Sequence, residues 1–179
     1  MGRLRGTTRS VVDTNVAVVA QGASQQADQA CVDACIDALD SVTKAGGLIL
    51  DAADEIVDEY LTNLGHAGKP GIGRAFAKWA RDYRFNDDLV TRVHVTRRSD
   101  GGWRQFDQFP DRQDLATFHK DDQKFVAVAV ASGEGTPVLN AVDSDWWNHR
   151  AALTAAGISI VFLCPQHQPA PAARQPRRD

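Results

Sequence analysis

Four acidic residues stand where an α/β chain can gather them. Asp13 follows the short run Ser10-Val11-Val12, and Asp143 follows the strand-like run VLNAV, 138–142. Asp122 opens an apolar helical segment, and Glu59 lies in the helical stretch DEIVDEYLTNL. In an open parallel sheet, ligands bind beyond the carboxyl ends of the strands, which is where Asp13 and Asp143 are expected. Four carboxylates with no basic partner in their own motifs repel one another. A hard divalent cation, Mg²⁺ or Mn²⁺, is the natural compensation, because it takes oxygen ligands and needs neither histidine nor thiolate. Two such cations ~3.5–4 Å apart activate a water and steady the leaving oxygen of a phosphodiester.

Each acid also has a plainer reading. An aspartate after a strand often caps the next helix, which applies to Asp13 and Asp143. Glu59 reads equally as a solvated helix residue, with Glu55 or Asp58 able to take its place. Asp145 is either an auxiliary ligand or a surface cap, and Asp51 and Asp54 read as capping and surface residues. The joint occurrence of the four acids favours a site over four unrelated caps.

Arg74, Lys78 and Arg81 recur at spacings of four and three, so they share one helix face. That face either contacts phosphates along a nucleic-acid backbone or is merely solvated. Lys69, Arg97 and Arg98 would extend it. Trp103 and Phe106 either stack on unpaired bases or pack. The glycines at 65, 68, 71 and 73 fit neither the Walker pattern nor the dinucleotide fingerprint. Five scattered histidines argue against zinc, although His119 stands three residues before Asp122.

The elements that must position these groups alternate along the chain. Strands are expected at 10–12, 48–50, 138–142 and 158–163. Helices are expected at 27–44, 53–64, 72–83, from 121 onward, and at 147–156. Val93-His94-Val95 reads as a further short strand inside an irregular stretch, 86–119. Short, doubly apolar strands separated by helices predict an α/β fold of three αβα layers around a central parallel sheet. Residues 1–164 read as one domain, with 65–119 a helical and irregular insertion. Residues 165–179 form a proline-rich, basic tail expected to be disordered.

The 179 residues hold 43% apolar and 24% charged side chains, which is enough to build a core. No apolar run approaches the ~20 residues of a membrane span, so no membrane is expected. The net charge of −3 does not advertise nucleic-acid binding, but a local basic face can act under a negative total. Three cysteines are few. Cys31 and Cys35, at i and i+4, read as core thiols, and Cys164 as a buried strand end. A disulfide framework is not indicated, and a reducing cytoplasm fits.

The same residues resemble a known family, the PIN-domain ribonucleases, from about residue 9 to residue 164. VVDTN, with Asp13, Thr14 and Asn15, resembles the first family motif, and DEIVDEYLTNL the helix that carries the family glutamate, here Glu59. DDQKFVAVAVA resembles the third motif, aligning Asp122. NAVDSDWW resembles the fourth, with Asp143 as ligand and Asp145 as auxiliary ligand. The resemblance implies a PIN-like fold and a metal-dependent endoribonuclease. In it Asp13 binds the main cation, Thr14 or Asn15 orients the loop or a phosphate, and Glu59, Asp122 and Asp143 complete the coordination. Many small bacterial members are toxins held by an antitoxin, so a toxin–antitoxin role, a regulatory protein partner and a homodimer also follow from the resemblance.

The rival reading is a catalytically silent PIN-like module that binds RNA or another protein. A haloacid-dehalogenase-like phosphatase would need a second aspartate where Asn15 stands. A phospho-receiver would need a lysine at the end of the last strand, where ISIVFLCP has none.

Overall fold

The computed structural model describes residues 9–65 and 70–168. Lys69 and most of the proline-rich tail lie outside the described residues. The chain runs β1 (Val11–Val12), α1 (Thr14–Ala20), α2 (Gln29–Ala45), β2 (Leu48–Asp51), α3 (Glu55–Leu64), α4 (Ile72–Tyr83), β3 (Val90–Val93), α5 (Gln123–Ser132), β4 (Pro137–Asn140), α6 (Ser144–Ala155) and β5 (Ser159–Phe162). This is an α/β fold in which every strand pairing is parallel.

β4 lies between β1 and β5, with Val11 opposite Val138 and Val138 opposite Ile160. β2 pairs with β3. A parallel bridge from Ser10 to Leu48 joins the two groups, with Ile49 N–H donating to Ser10 O at 2.9 Å. The resulting order is β3-β2-β1-β4-β5. Every residue of β1 and β2 is buried, so the middle of the layer is covered on both faces, as expected of a crossover-built parallel sheet. β5 departs from that expectation. It is an edge strand, and its Ser159 and Val161 are exposed.

Local chemistry explains most elements. Asp28 caps α2 by accepting from Cys31 N–H at 2.8 Å, and Cys31, Cys35, Leu39 and Val42 form its buried stripe. Asp51, fully buried, accepts from Glu55 N–H and Ile56 N–H, both at 2.9 Å, and starts α3. α5 is buried from Gln123 through Ala129 and packs across β1 to β4. Gly73 lets α4 cross α1 closely, since a Cβ there would stand 2.1 Å from Ala17 O.

Several expectations need correction. The strand expected at 10–12 leads directly into α1, a helix absent from the expected elements. Asp13 caps α1, and tertiary packing buries Val16 and Val19 despite their β-branched bias, together with Ala17 and Ala20. The strand expected at 93–95 lies at Val90–Val93, and the strand expected to reach 142 ends at Asn140. Ile72, the first residue of α4, is 44% exposed although it is apolar. The irregular stretch supplies the buried Phe106, Phe109, Leu115 and Phe118, the last two rings stacked at 5.8 Å.

The cysteine expectation is also corrected. Cys31 and Cys164 form a disulfide that ties the start of α2 to the chain beyond β5. Cys35 alone remains a free thiol, buried, with Sγ 4.0 Å from Cys164 Sγ. Spacing along α2 placed Cys31 and Cys35 on one face, but only the return of β5 brings Cys164 to it. The cysteine argument for a reducing compartment therefore falls. No helix among the described residues is long and apolar enough to cross a membrane.

Candidate metal centre

Three of the four acids converge. Asp13, Asp122 and Asp143 each offer a carboxylate oxygen within 4.8 Å of the others. They come from three places. Asp13 follows β1, Asp122 immediately precedes α5, and Asp143 stands three residues beyond β4. The backbone N–H of Asp13 donates to Leu139 O at 3.0 Å, so the first acid is anchored on the strand that leads to the third.

The capping reading and the site reading hold together. Asp13 Oδ1 accepts from Asn15 N–H at 3.0 Å, and Asp143 Oδ1 accepts from Asp145 N–H at 2.8 Å. Each cap uses one oxygen of a carboxylate that has two. Asp122 heads α5 without a side-chain cap bond, so its position is not explained by helix initiation.

Asn140, which the sequence did not single out, reinforces the centre. It is fully buried at the end of β4, and its Nδ2 donates to Asp13 Oδ2 at 3.3 Å. Its Oδ1 has no partner among the described residues. A buried polar residue closing a strand beside an acid-bearing strand was the available signal. Tyr60, also fully buried, donates its hydroxyl to Val12 O and so fixes α3 against the residue preceding Asp13.

Glu59 faces an open cleft of about 630 Å³ that it shares with Asn63, His119, Asp121, Asp122, Lys124, Asp143 and Asp145. Its carboxylate is not free. Lys124 Nζ stands 2.5 Å from Glu59 Oε2, with the lysine side chain 11% exposed. This corrects the expectation that the acids lack a basic partner in their own motifs, because Lys124 belongs to DDQKFVAVAVA, two residues after Asp122.

Asp145 lies on the rim. Its Oδ2 accepts from His119 N–H at 2.8 Å and its Oδ1 is 3.1 Å from His149 Nδ1. Oδ2 thereby holds the loop before α5 against α6, while Oδ1 faces a side chain one turn along α6 itself. His119 lines the cleft, with Nδ1 3.9 Å from Asp122 Oδ2.

The remaining residues divide clearly. Asn15 Oδ1 accepts from Ala141 N–H at 2.8 Å, which locks α1 to the turn after β4. Thr14 is buried, and its hydroxyl has no partner among the described residues. Arg74, Lys78 and Arg81 are exposed on α4, none of them lines the acidic cleft, and Arg81 pairs with Asp82 at 2.8 Å. Arg97 pairs with Glu55, and Arg98 with Asp100 and Asp107. Trp103 packs edge-on against Phe109, and Trp146 against Phe118. These rings are packing groups.

The electrostatics follow from burial and crowding. Burial first, then the neighbouring Asp122, raises the Asp13 carboxyl well above the ordinary range; Asp143 and Glu59 add to it. Asp122 is pushed up to about 7, again by burial first and then by Asp143. Burial is also the leading cause of the rise at Asp143. Carboxylates gathered in this way hold protons unless a cation replaces them. The donor set is all oxygen, which suits a hard divalent ion.

No protein-family model matches the chain, and no curated protein and no solved structure matches it. The site's own chemistry therefore carries the functional reading.

Proposed function

We propose that the chain is a divalent-cation-dependent nuclease that hydrolyses phosphodiester bonds, with RNA as its substrate. The observation that carries this reading is the convergence of Asp13, Asp122 and Asp143 within 4.8 Å at one end of a parallel sheet. Asp13, Asp122 and Asp143 would hold Mg²⁺ or Mn²⁺. When bound, such a cation supplies positive charge for the phosphate and acidifies water.

The chain's own groups do the positioning. The caps of α1 and α6 fix one oxygen each of Asp13 and Asp143, and Asn140 aligns the other oxygen of Asp13. Asp122 projects from the start of α5 with no bond to that helix's own N–H groups. Glu59 and Lys124 form the flank of the cleft. The preference for RNA and a restraining protein partner rest on the motif resemblance to PIN-domain ribonucleases.

The test is cleavage of labelled RNA and DNA strands with Mn²⁺, Mg²⁺ or EDTA, wild type beside Asp13→Asn. Metal-dependent cleavage of RNA that falls at least a hundredfold in the folded variant is the expected result. A folded wild type that binds no metal and cuts neither polymer would sink the nuclease reading and favour a silent binding module.

A further inference from the structure

A two-cation phosphodiester clamp needs carboxylate oxygens for both ions. Asp13, Asp122 and Asp143 suffice for one. The acids that would serve a second are Glu59 and Asp145, which line the same cleft; Asp121 also lines it, with its side chain 82% exposed to solvent. Asp145 has both oxygens engaged and Glu59 has one. Asp145 receives His119 N–H on one oxygen and faces His149 Nδ1 with the other. Glu59 Oε2 is held by Lys124 Nζ at 2.5 Å.

An ammonium that is nearly buried is costly unless it is paired and hydrogen-bonded. Lys124 meets both conditions. Glu59 supplies the opposite charge, and Asp121 O accepts a second hydrogen bond at 2.5 Å. A lysine ammonium has three donors, so one N–H remains beyond these two bonds, on a side chain that lines the cleft beside Asp122 and Asp143. Its position is set from two sides. Lys124 follows Asp122 by two residues at the start of α5, and Glu59 is held on α3 by the neighbouring Tyr60, whose hydroxyl bonds Val12 O.

We propose that Lys124 takes the place of a second metal ion. The centre binds one divalent cation on Asp13, Asp122 and Asp143, and the Lys124 ammonium provides the second positive charge that faces a phosphodiester in the cleft. Glu59 is then the holder of that lysine rather than a metal ligand. The inference rests on the nuclease reading, but its test does not use turnover.

The experiment counts bound Mn²⁺ on the full chain by the electron paramagnetic resonance of free Mn²⁺ during titration. Wild type is expected to bind one ion, Lys124→Arg one, and Lys124→Met two, because Glu59 is released. Glu59→Gln is expected still to bind one, which tests the same point should Lys124→Met fail to fold. Two ions in the wild type, one ion in folded Lys124→Met, or none in Glu59→Gln would each overturn the proposal while leaving a metal-dependent nuclease standing. No Mn²⁺ bound by the wild type would overturn both.

Discussion

The amide of Asn140 donates to Asp13 Oδ2 at 3.3 Å, joining the end of β4 to the acid that follows β1. The two strands are adjacent and parallel, with Val12 opposite Leu139. Strand register thus sets the bond directly. Groups that orient a ligating carboxylate contribute to metal affinity, and losing one typically costs about 10–100-fold. Asn140→Leu is therefore expected to weaken Mn²⁺ binding by at least about tenfold, read by calorimetric titration. Unchanged affinity in a folded variant would show that Asp13 needs no such alignment.

Without metal, the acidic centre makes stability fall with pH. The carboxyls of Asp13, Asp122 and Asp143 all rise above their unfolded values on folding, Asp122 from 3.8 to about 7. The folded chain therefore binds more protons than the unfolded one across that window, and the associated stability is lost as pH climbs through the folded values. In EDTA, Tm is expected to be higher at pH 5 than at pH 8. Mn²⁺ should raise Tm most at the higher pH, and Asp13→Asn should flatten the metal-free decline. A metal-free Tm that rises from pH 5 to pH 8 would contradict the electrostatics described above.

The Cys31–Cys164 disulfide closes 133 residues of chain. Cross-links over long loops restrict the unfolded state, and removing one typically costs about 2–5 kcal/mol. Cys31→Ser is expected to lower the denaturant midpoint accordingly. The same midpoint in reduced and oxidised wild type would show that the bond contributes nothing. Cys35 is not a ready substitute nucleophile, since burial pushes its thiol up to about 12.

Gly73 sits where α4 meets α1. An added methyl would stand 2.1 Å from Ala17 O, a backbone atom that cannot swing aside. Overpacking of this kind costs about 1–3 kcal/mol. Gly73→Ala should lower stability by that order in chemical denaturation, while Gly101→Ala, at an open turn, makes a useful comparison through its positive φ alone.

Much of this protein was legible in its residues. Asp13, Asp122 and Asp143 were recognisable because each stands at a strand end or helix start, and the helices over 29–45, 55–64 and 72–83 announced themselves by period, the first two also by the glycines that follow them. α1 was hidden because four of its seven residues, Thr14, Val16, Val18 and Val19, are β-branched, so local propensity and tertiary packing disagree there. Trp103 and Phe106 gave no sign of whether they met bases or a core, because composition does not say what lies across a loop.

The sequence by itself determined the alternation of elements and the parallel sheet, and it offered four acids for the sheet's edge, because those follow from hydrophobic period and from the chemistry of positions next to strands and helix starts. The structure decided that three of them meet. Only the tertiary structure decided which charges meet. Lys124 and Glu59 are 65 residues apart and Cys31 and Cys164 are 133 apart. Such pairs depend on how α3 lies against α5 and where β5 returns to α2, and no local pattern carries that information. The same holds for the bond from His119 N–H to Asp145 Oδ2, which depends on how the loop before α5 lies against α6.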